Sequence, residues 1–254
     1  YKCVLLTGAT GFLGIHILKE LVDRKIKIYC LVRDEKRLEK QIEYYFGKLD
    51  TSGVFCVKGN IEENFLGLSE EVYNDLTKEV DGVFHIAANV NHAGDYSVLE
   101  KTNVIGTKNI IDFSVSANAV LHHTSTVSVH GAATVLQKYS KAEFSEDVLD
   151  IGQHYWNNVY IHSKYCAEEA VLLARKQISQ SLQQAIQIFL SHIFRIQRLK
   201  RDVEAAVIQQ ESVFCIFFNQ NFPRSIESQS VGCPRNRCQR LSMHYSTQAN
   251  DNQE

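Results

Sequence analysis

The chain has 254 residues, 44% of them apolar, which is enough to build one sizeable hydrophobic core. Its 27 lysines and arginines against 29 aspartates and glutamates give a net charge of -2, which argues against nucleic-acid binding because phosphate contacts normally need a basic excess. No apolar run approaches the ~18 to 20 residues that cross a membrane, and residues 2–7 are strand-like rather than a signal sequence. We therefore expect a cytoplasmic protein, cut from something longer, with no membrane and no nucleic-acid partner.

Strands and helices alternate along the first part of the chain. Short runs rich in valine and isoleucine predict strands at 2–6, 26–32, 53–58, 82–86 and 119–123. Helical spacing of apolar residues predicts helices at 12–23, 34–46, 68–80 and 101–117. This alternation is typical of an α/β fold with a doubly wound parallel sheet, in which ligands bind beyond the carboxyl ends of the strands.

The first strand runs directly into the first helix through TGATGFLG, where Gly8, Gly11 and Gly14 are spaced three apart. In a dinucleotide site the first glycine allows a tight turn, the second lets backbone approach the pyrophosphate, and the third lets the helix pack on the strand. The N–H groups and positive end of the helix then attract the phosphates. An ordinary glycine-rich turn is the alternative, but the position at the first strand–helix junction favours a dinucleotide. The predicted cofactor site also includes Thr7, Thr10 and Phe12.

The end of the second strand distinguishes between NAD and NADP. An NAD site usually has an acidic residue there, whereas an NADP site accommodates the 2′-phosphate with arginine. Arg33 stands at the strand end and Arg37 lies one helical turn later, so a guanidinium group could clamp a phosphate. A solvated basic helix start is the alternative, and the neighbouring Asp34 would suit NAD. We favour NADP.

Two further strand ends offer smaller contacts with a dinucleotide. Asn60 follows the third strand, where it could bond the adenine edge, and the adjacent Ile61 is included with it; a surface turn is the alternative. Ala87 and Ala88 follow the fourth strand, in the run HIAANVNH, and complete the predicted cofactor site.

A carbonyl reductase needs a proton donor beside a second hydrogen-bond donor, because charge develops on the substrate oxygen as hydride arrives. Tyr160 and Lys164 are four residues apart, so a helix places both on one face, where the ammonium would lower the phenol pKa from its usual ~10. A solvated helix face is the alternative. Tyr44 and Lys48 have the same spacing, but they lie far from the strand ends and are assigned to a helix surface.

Six motifs occur in the order expected of one known family: TGATGFLG, CLVR, HIAANVNH, NVIGTKNIIDF, HHTSTVSVHG and YIHSKYCAEE. Together they make residues 1–175 resemble the extended short-chain dehydrogenase/reductases. More narrowly, they resemble the thioester reductase domains that end nonribosomal peptide synthetases, polyketide synthases and carboxylic acid reductases. The resemblance implies a Rossmann fold and a nicotinamide cofactor.

The resemblance also suggests two further catalytic residues. It implies an active hydroxyl after the fifth strand, for which Thr126 is the choice and Ser125 the reserve; a strand-end cap is the alternative. Asn103 matches the family's helix asparagine, whose carbonyl helps to hold a water leading to the lysine. A helix N-cap is the alternative for Asn103.

The implied reaction is the NADPH-dependent reduction of an acyl or peptidyl thioester, held on the phosphopantetheine arm of a carrier protein, to an aldehyde or further to an alcohol. Tyr160 would donate the proton, Thr126 would hydrogen-bond the same oxygen, and Lys164 would tune Tyr160 and bond the nicotinamide ribose. Two rivals stay open. An NAD-dependent sugar-nucleotide epimerase or dehydratase would share the fold and the Tyr/Lys pair, and an inactive fragment would bind nucleotide without catalysis.

The composition changes after residue 176. Residues 1–176 contain three glutamines and residues 177–254 contain thirteen. Gln197 and Arg198 stand where the resembled family has glycine and asparagine, and no substrate-binding part is recognisable after them. We predict a Rossmann domain over 1–195 and a degenerate or truncated C-terminal substrate region over 196–254, partly disordered.

A metal site and a serine hydrolase are not supported. His122 and His123 are adjacent on a strand and so point to opposite faces, and Cys233, Cys238 and His244 have no fourth ligand. No Gly-x-Ser-x-Gly elbow is present. The odd number of cysteines, seven, fits reduced thiols, three of them in strand-like runs where a thiol behaves as a small hydrophobe.

Overall fold

The computed structural model of the chain describes residues 1–130 and 148–181, without the side chains of Val127 and of 178–181. The boundary predicted at residue 195, the C-terminal segment 196–254 and the cysteines of the discarded metal site lie outside the described residues. Within the described part, no helix is both long enough and apolar enough to cross a membrane.

Five parallel strands form one sheet in the order β3-β2-β1-β4-β5. They are β1 (Cys3–Thr7), β2 (Lys27–Val32), β3 (Val54–Lys58), β4 (Gly82–His85) and β5 (Val120–His123), each within one residue of its prediction at either end. Thr7 pairs with Leu31 on one side and His85 on the other, so the carboxyl ends of the three central strands are level. The strand order reverses between β1 and β4, which is where such sheets bind ligands.

Helices connect the successive strands, and one more helix follows β5. They are α1 (Phe12–Asp23), α2 (Glu35–Phe46), α3 (Glu70–Glu79), α4 (Tyr96–Leu99), α5 (Gly106–Ser116) and α6 (Val159–Ser181), with a π-helical segment Glu100–Ile105 and 3₁₀ turns at Asn64–Gly67 and Val127–His130. α2 and α3 begin where they do because Asp34 and Ser69 each accept a backbone N–H from the first helical turn. The predicted doubly wound parallel sheet is confirmed.

The helical run between β4 and β5 is longer than predicted. It begins at Tyr96 rather than at residue 101, because Asp95 accepts a hydrogen bond from the Ser97 N–H at 2.9 Å. Its middle turn is π-helical, a form that is frequent at functional sites. Asn103 lies inside this run, so the alternative of a helix N-cap is wrong.

The apolar core packs on the central strands, and β1 is buried along its whole length. Burial stops at the sheet edge, where β3 has a neighbour on one side only and Phe55 is 43% exposed. The four cysteines of the described part are free thiols, of which Cys3 and Cys30 are buried and Cys56 is exposed. Cys56 is exposed because β3 is an edge strand, a position that periodicity does not distinguish from a central one.

Candidate active site

The glycine loop between β1 and α1 has the predicted tight geometry. Gly8 has a φ of +76°, and a Cβ atom there would lie 2.6 Å from the Ala87 nitrogen. A Cβ atom on Gly14 would lie 2.1 Å from the Gly8 carbonyl oxygen, so this residue sets the close packing of α1 on the loop. Gly11 differs, because a Cβ atom there would meet only the Gly8 oxygen, at 3.3 Å. Substituting Gly8 or Gly14 would therefore distort the fold, whereas a side chain at Gly11 would need only a small shift of one neighbouring atom.

The N-terminus of α1 is arranged to attract an anion. Gly11 is its N-cap residue and is exposed, no side chain caps the helix, and no acidic residue lies in its first turn. The first N–H groups and the positive end of the helix dipole therefore face the loop without a competing carboxylate. Thr10 is partly exposed in the same loop. The Phe12 ring packs against His16, with centroids 4.8 Å apart, so Phe12 brings its backbone rather than its ring to the loop.

The Thr7 side chain points into the fold rather than towards a cofactor. Its hydroxyl accepts a hydrogen bond from the Ala87 N–H at 3.2 Å and lies 2.8 Å from His85 Nδ1. On the other side of the ring, His85 Nε2 lies 3.1 Å from the Thr107 hydroxyl, which donates to the Asn103 carbonyl at 2.6 Å. Thr107 must therefore accept from Nε2–H, and Thr7 must donate to Nδ1. Burial, with a contribution from Lys164, lowers the pKa of His85 to about 3, which suits this neutral tautomer.

Asn103 anchors two segments of the site. Its Oδ1 accepts from the Asn89 N–H at 2.7 Å, and its Nδ2 donates to the Asn89 carbonyl at 2.9 Å and to the Ser163 hydroxyl at 2.8 Å. The Asn103 backbone carbonyl already accepts from Thr107. The Asn103 side chain thus ties the segment after β4 to helix α6, and the part predicted for its carbonyl, holding a water leading to Lys164, stays a prediction.

Arg33 and Arg37 are both exposed beyond the end of β2, next to the glycine loop of the adjacent β1. Neither takes part in an ion pair within the described residues. Asp34, the residue that suited NAD, caps α2 by accepting a hydrogen bond from the Arg37 N–H at 3.3 Å. Asp34 therefore has a structural role as the N-cap of α2, which accounts for an acidic residue at this position.

The residues after β3 favour the surface-turn alternative. The Asn60 amide donates to Glu63 Oε1 at 2.9 Å and accepts from the Glu62 N–H at 3.2 Å, so both ends are engaged within the turn. Ile61 is 8% exposed and belongs to the core, where its side chain fills the space beside Gly106. The predicted adenine contact through the Asn60 side chain is therefore not supported. After β4, Ala87 lies directly beside Gly8, and Ala88 is half-buried next to it.

Tyr160 and Lys164 lie on α6, as their spacing predicted. Lys164 is 2% exposed and donates to the Thr124 carbonyl at 2.7 Å, at the end of β5. Burial lowers the pKa of Lys164 to about 8, and Glu168 opposes this shift. The pKa of Tyr160 is raised by burial, and the opposing effect comes from a hydrogen bond with Thr126. The pKa of Tyr160 is thus raised rather than lowered, and the Lys164 ammonium donates to the Thr124 carbonyl.

The structure separates the two candidate hydroxyls. The Thr126 side chain acts on the Tyr160 phenol, whose pKa it lowers against the effect of burial. Ser125 is buried and donates to Glu168 Oε2 at 2.6 Å, away from the phenol. Thr126, Tyr160 and Lys164 thus come together at the carboxyl edge of the sheet, and Ser125 holds a buried carboxyl group. The competing Tyr44 is 79% exposed on α2, and Lys48 lies just beyond the end of that helix.

Four side chains of the site were not predicted from the sequence. Asn158 caps α6, accepting from the N–H groups of Tyr160 and Ile161 at 3.0 and 3.1 Å. His85 and Ser163 belong to the buried network around Asn103, and Glu168 pairs with Ser125. An asparagine two residues before Tyr160 is a recognisable capping signal. The others depend on partners distant in sequence and have no local signal.

Comparison with known proteins identifies the family. Residues 6–186 match the NAD-binding family described as Male sterility protein. The chain belongs to this family. The family and the solved R domains that the chain matches are NAD(P)-dependent reductases of the extended short-chain dehydrogenase/reductase type, which confirms the resemblance read from the six motifs.

Relatives of this family include large synthetases. The nonribosomal peptide synthetase asaC of Aspergillus flavus is 32% identical over 186 residues, covering 66% of the chain and 18% of that protein. A linear gramicidin synthase of Brevibacillus parabrevis is 31% identical over 227 residues, covering 84% of the chain and 4% of that protein. The chain thus matches a small part of each.

Solved structures that match the chain also include reductase domains of such synthetases. The terminal R domain from the myxalamid PKS-NRPS biosynthetic pathway superimposes with a TM-score of 0.63 at 31% identity, covering 75% of the chain and 48% of that domain. A thiolation-reductase di-domain from an archaeal non-ribosomal peptide synthetase gives 0.59 at 33%, covering 69% and 39%. The chain therefore spans less than half of these solved proteins. A UDP-Glc/GlcNAc 4-epimerase from Campylobacter jejuni, at 17% identity and a TM-score of 0.54, shares the fold alone.

Proposed function

We propose that this chain carries the cofactor half and the proton-donating residues of a reductase that uses NADPH to convert a carrier-bound acyl or peptidyl thioester to an aldehyde. The observation that carries the proposal is the hydrogen bond from the buried Lys164 to the Thr124 carbonyl at 2.7 Å, which fixes the helix of Tyr160 against the strand end that carries Thr126. Two hydroxyls at the same edge of the sheet could both serve one substrate oxygen, which is what a carbonyl needs as negative charge develops on it.

The glycine loop supports the dinucleotide. Cβ atoms would fill the loop at Gly8 and Gly14, whereas Gly11 leaves backbone exposed at the uncapped start of α1, which fits a pyrophosphate. Arg33 and Arg37 offer guanidinium groups to a 2′-phosphate, and this favours NADP over NAD. When bound, the reduced cofactor would supply the hydride.

The chain's own residues would then act on the thioester. Tyr160 would give its proton to the carbonyl oxygen while Thr126 hydrogen-bonds the same atom. The raised pKa of Tyr160 keeps the phenol protonated until charge appears on the substrate. Lys164 would bond the ribose on the cofactor side of the site while it holds the Thr124 carbonyl. Loss of the thiol from the resulting hemithioacetal would release the aldehyde.

The carrier protein is proposed as the partner because relatives of the chain are synthetases, and because one solved neighbour joins a thiolation domain to a reductase. The test is to incubate the whole chain with NADPH and an acyl thioester of a phosphopantetheine-loaded carrier protein. We expect NADPH oxidation and an aldehyde that a hydrazine reagent traps, both lost in Tyr160→Phe. Conversion of a UDP-sugar without thioester reduction would contradict the proposal.

A further inference from the structure

His92 makes a contact with Tyr160 that the proposed chemistry does not use. The two rings have centroids 4.7 Å apart and planes inclined by 59°. His92 is exposed in the loop after β4, whereas Tyr160 is partly buried on α6. Ordering an exposed side chain in a loop costs conformational entropy. A specific contact between His92 and the phenol therefore requires neighbouring groups that restrain the His92 side chain.

Hydrogen bonds fix the start of the loop that carries His92 and set its backbone path before and after that residue. Asn103 clamps Asn89 through two hydrogen bonds, one to its N–H and one to its carbonyl, at 2.7 and 2.9 Å. The Asn89 side chain then accepts from the Asn91 N–H at 3.1 Å, and the Asn91 side chain accepts from the Ala93 N–H at 3.2 Å. Two consecutive Asx turns therefore determine the path of the backbone through His92.

The Asn158 side chain, on helix α6, contacts the His92 ring. Its Oδ1 is committed to the N–H groups of Tyr160 and Ile161, so its Nδ2 faces outward, 3.4 Å from His92 Nδ1. An amide nitrogen only donates, so Nδ1 of His92 is the acceptor in this contact. The residue that caps the helix of Tyr160 thus also orients the ring that packs on Tyr160.

We propose that His92 is a positioning residue for Tyr160, a ring that braces the phenol so that its hydroxyl stays beside Thr126 and the substrate oxygen. This inference rests on the proposed function, because it assigns His92 a part in proton delivery by Tyr160. The base of the His92 loop and helix α6 share one anchor, since Asn103 bonds both Asn89 and Ser163. The His92 loop and the helix that carries Tyr160 are therefore fixed relative to each other.

The test compares two substitutions of His92 in the whole chain. His92→Ala removes the ring, and we expect kcat to fall about threefold to tenfold, the range that one aromatic pair contributes, with the KM for NADPH unchanged. His92→Phe keeps a ring and should recover most of kcat. Asn158→Ser keeps an N-cap residue but removes the donor to His92, and it should lower kcat in the same direction by a smaller factor.

His162 provides the matched control, because its ring stacks on Tyr96 at 4.2 Å from the same helix. We expect His162→Ala to leave kcat unchanged. A wild-type kcat in His92→Ala, or equal losses in His92→Phe and His92→Ala, would overturn the brace. If the wild-type chain reduced no thioester, the proposed function would fail and ring ¹³C signals of Tyr160 would decide for His92. A shift in His92→Ala but not in His162→Ala would support the brace, and an unchanged signal would overturn it.

Discussion

The side-chain amide of Asn103 donates to the Ser163 hydroxyl at 2.8 Å, and Ser163 in turn donates to the Tyr160 carbonyl at 2.8 Å. The helical run between β4 and β5 is thereby joined to the turn of α6 that presents Tyr160. Through Thr107, the same network extends to His85 on β4 and Thr7 on β1. The end of the strand that opens the glycine loop and the helix of the proton donor are thus parts of one buried hydrogen-bonded unit.

Gly11→Val should block nucleotide binding while leaving the fold intact. The added side chain would enter the space over the start of α1, and its Cβ atom would meet only the Gly8 oxygen at 3.3 Å. A nucleotide at a hundredfold excess over its Kd stabilises the folded protein by about 2.7 kcal/mol. Thermal unfolding with and without NADPH therefore shows whether nucleotide binding is lost. Gly53→Ala, at an ordinary 3.5 Å from its neighbour, is the control that should keep the ligand shift.

Gly14→Ala should behave differently from Gly11→Val. Its Cβ atom would lie 2.1 Å from the Gly8 carbonyl oxygen, so α1 must move away from the loop and the midpoint should fall even without nucleotide. If Gly11→Val lowered the unliganded midpoint as much as Gly14→Ala, or kept the full NADPH shift, the assignment of Gly11 would be wrong.

Arg33 should determine the preference for NADPH. Loss of a charge-assisted hydrogen bond to the 2′-phosphate should cost about 1.5 to 3 kcal/mol in binding NADPH and much less in binding NADH. Arg33→Ala measured by calorimetry with both nucleotides checks this. Lys40→Ala removes one positive charge from the exposed surface of nearby α2 and should change neither affinity appreciably. Equal losses for NADPH and NADH in Arg33→Ala would mean that Arg33 does not contact the 2′-phosphate.

Thr126 and Ser125 should affect different properties of the protein. Thr126→Val removes the hydroxyl proposed to hydrogen-bond the substrate oxygen and should lower kcat about 10²- to 10³-fold, as loss of an oxyanion donor does. Ser125→Ala removes the partner of buried Glu168 and should instead lower the free energy of unfolding by about 1 to 3 kcal/mol. Turnover assays and urea denaturation of both variants separate the roles. A large loss of kcat in Ser125→Ala with normal Thr126→Val would reverse the assignment.

Lys164 should give the protein a distinctive dependence of stability on pH. Burial lowers its pKa from 10.5 to about 8, so between these values the unfolded chain holds a proton that the folded chain has released. The free energy of unfolding then rises with pH through this window, by on the order of 3 kcal/mol from Lys164. Buried tyrosines and cysteines, whose pKa values are raised, oppose this, so the difference between wild type and Lys164→Met isolates the lysine.

Urea denaturation at pH 7 and pH 10, followed by fluorescence of Trp156, the chain's one tryptophan, measures that difference. Wild type should gain stability relative to Lys164→Met as the pH rises. A difference that stays constant or shrinks would show that the ammonium is not disfavoured in the folded state.

Local patterns were sufficient for the frame of the site. The alternation of apolar runs predicted every strand of the sheet, and the glycine spacing located the loop because Gly8 and Gly14 are required by contacts that any such strand–helix junction makes. The spacing of Tyr160 and Lys164 likewise followed from helix periodicity.

The roles of the other site residues depend on contacts with residues distant in sequence, which local patterns do not reveal. Nothing local distinguishes a Thr7 hydroxyl that faces a cofactor from one that bonds His85, 78 residues away. Asn60 and Asn103 carry the same amide, but one closes a turn and the other joins two segments of the site. The direction of the Lys164 ammonium also depended on where the Thr124 carbonyl lies after folding.

The central claim is that the Tyr160 hydroxyl delivers the proton in thioester reduction. The most direct measurement is a single turnover of Tyr160→Phe, mixed with NADPH and acyl-loaded carrier protein and followed by loss of NADPH absorbance. We expect nucleotide affinity close to wild type and a rate at least 10²-fold lower, because the hydroxyl is needed only as charge develops on the substrate oxygen. A wild-type rate of NADPH oxidation in this variant would contradict the claim.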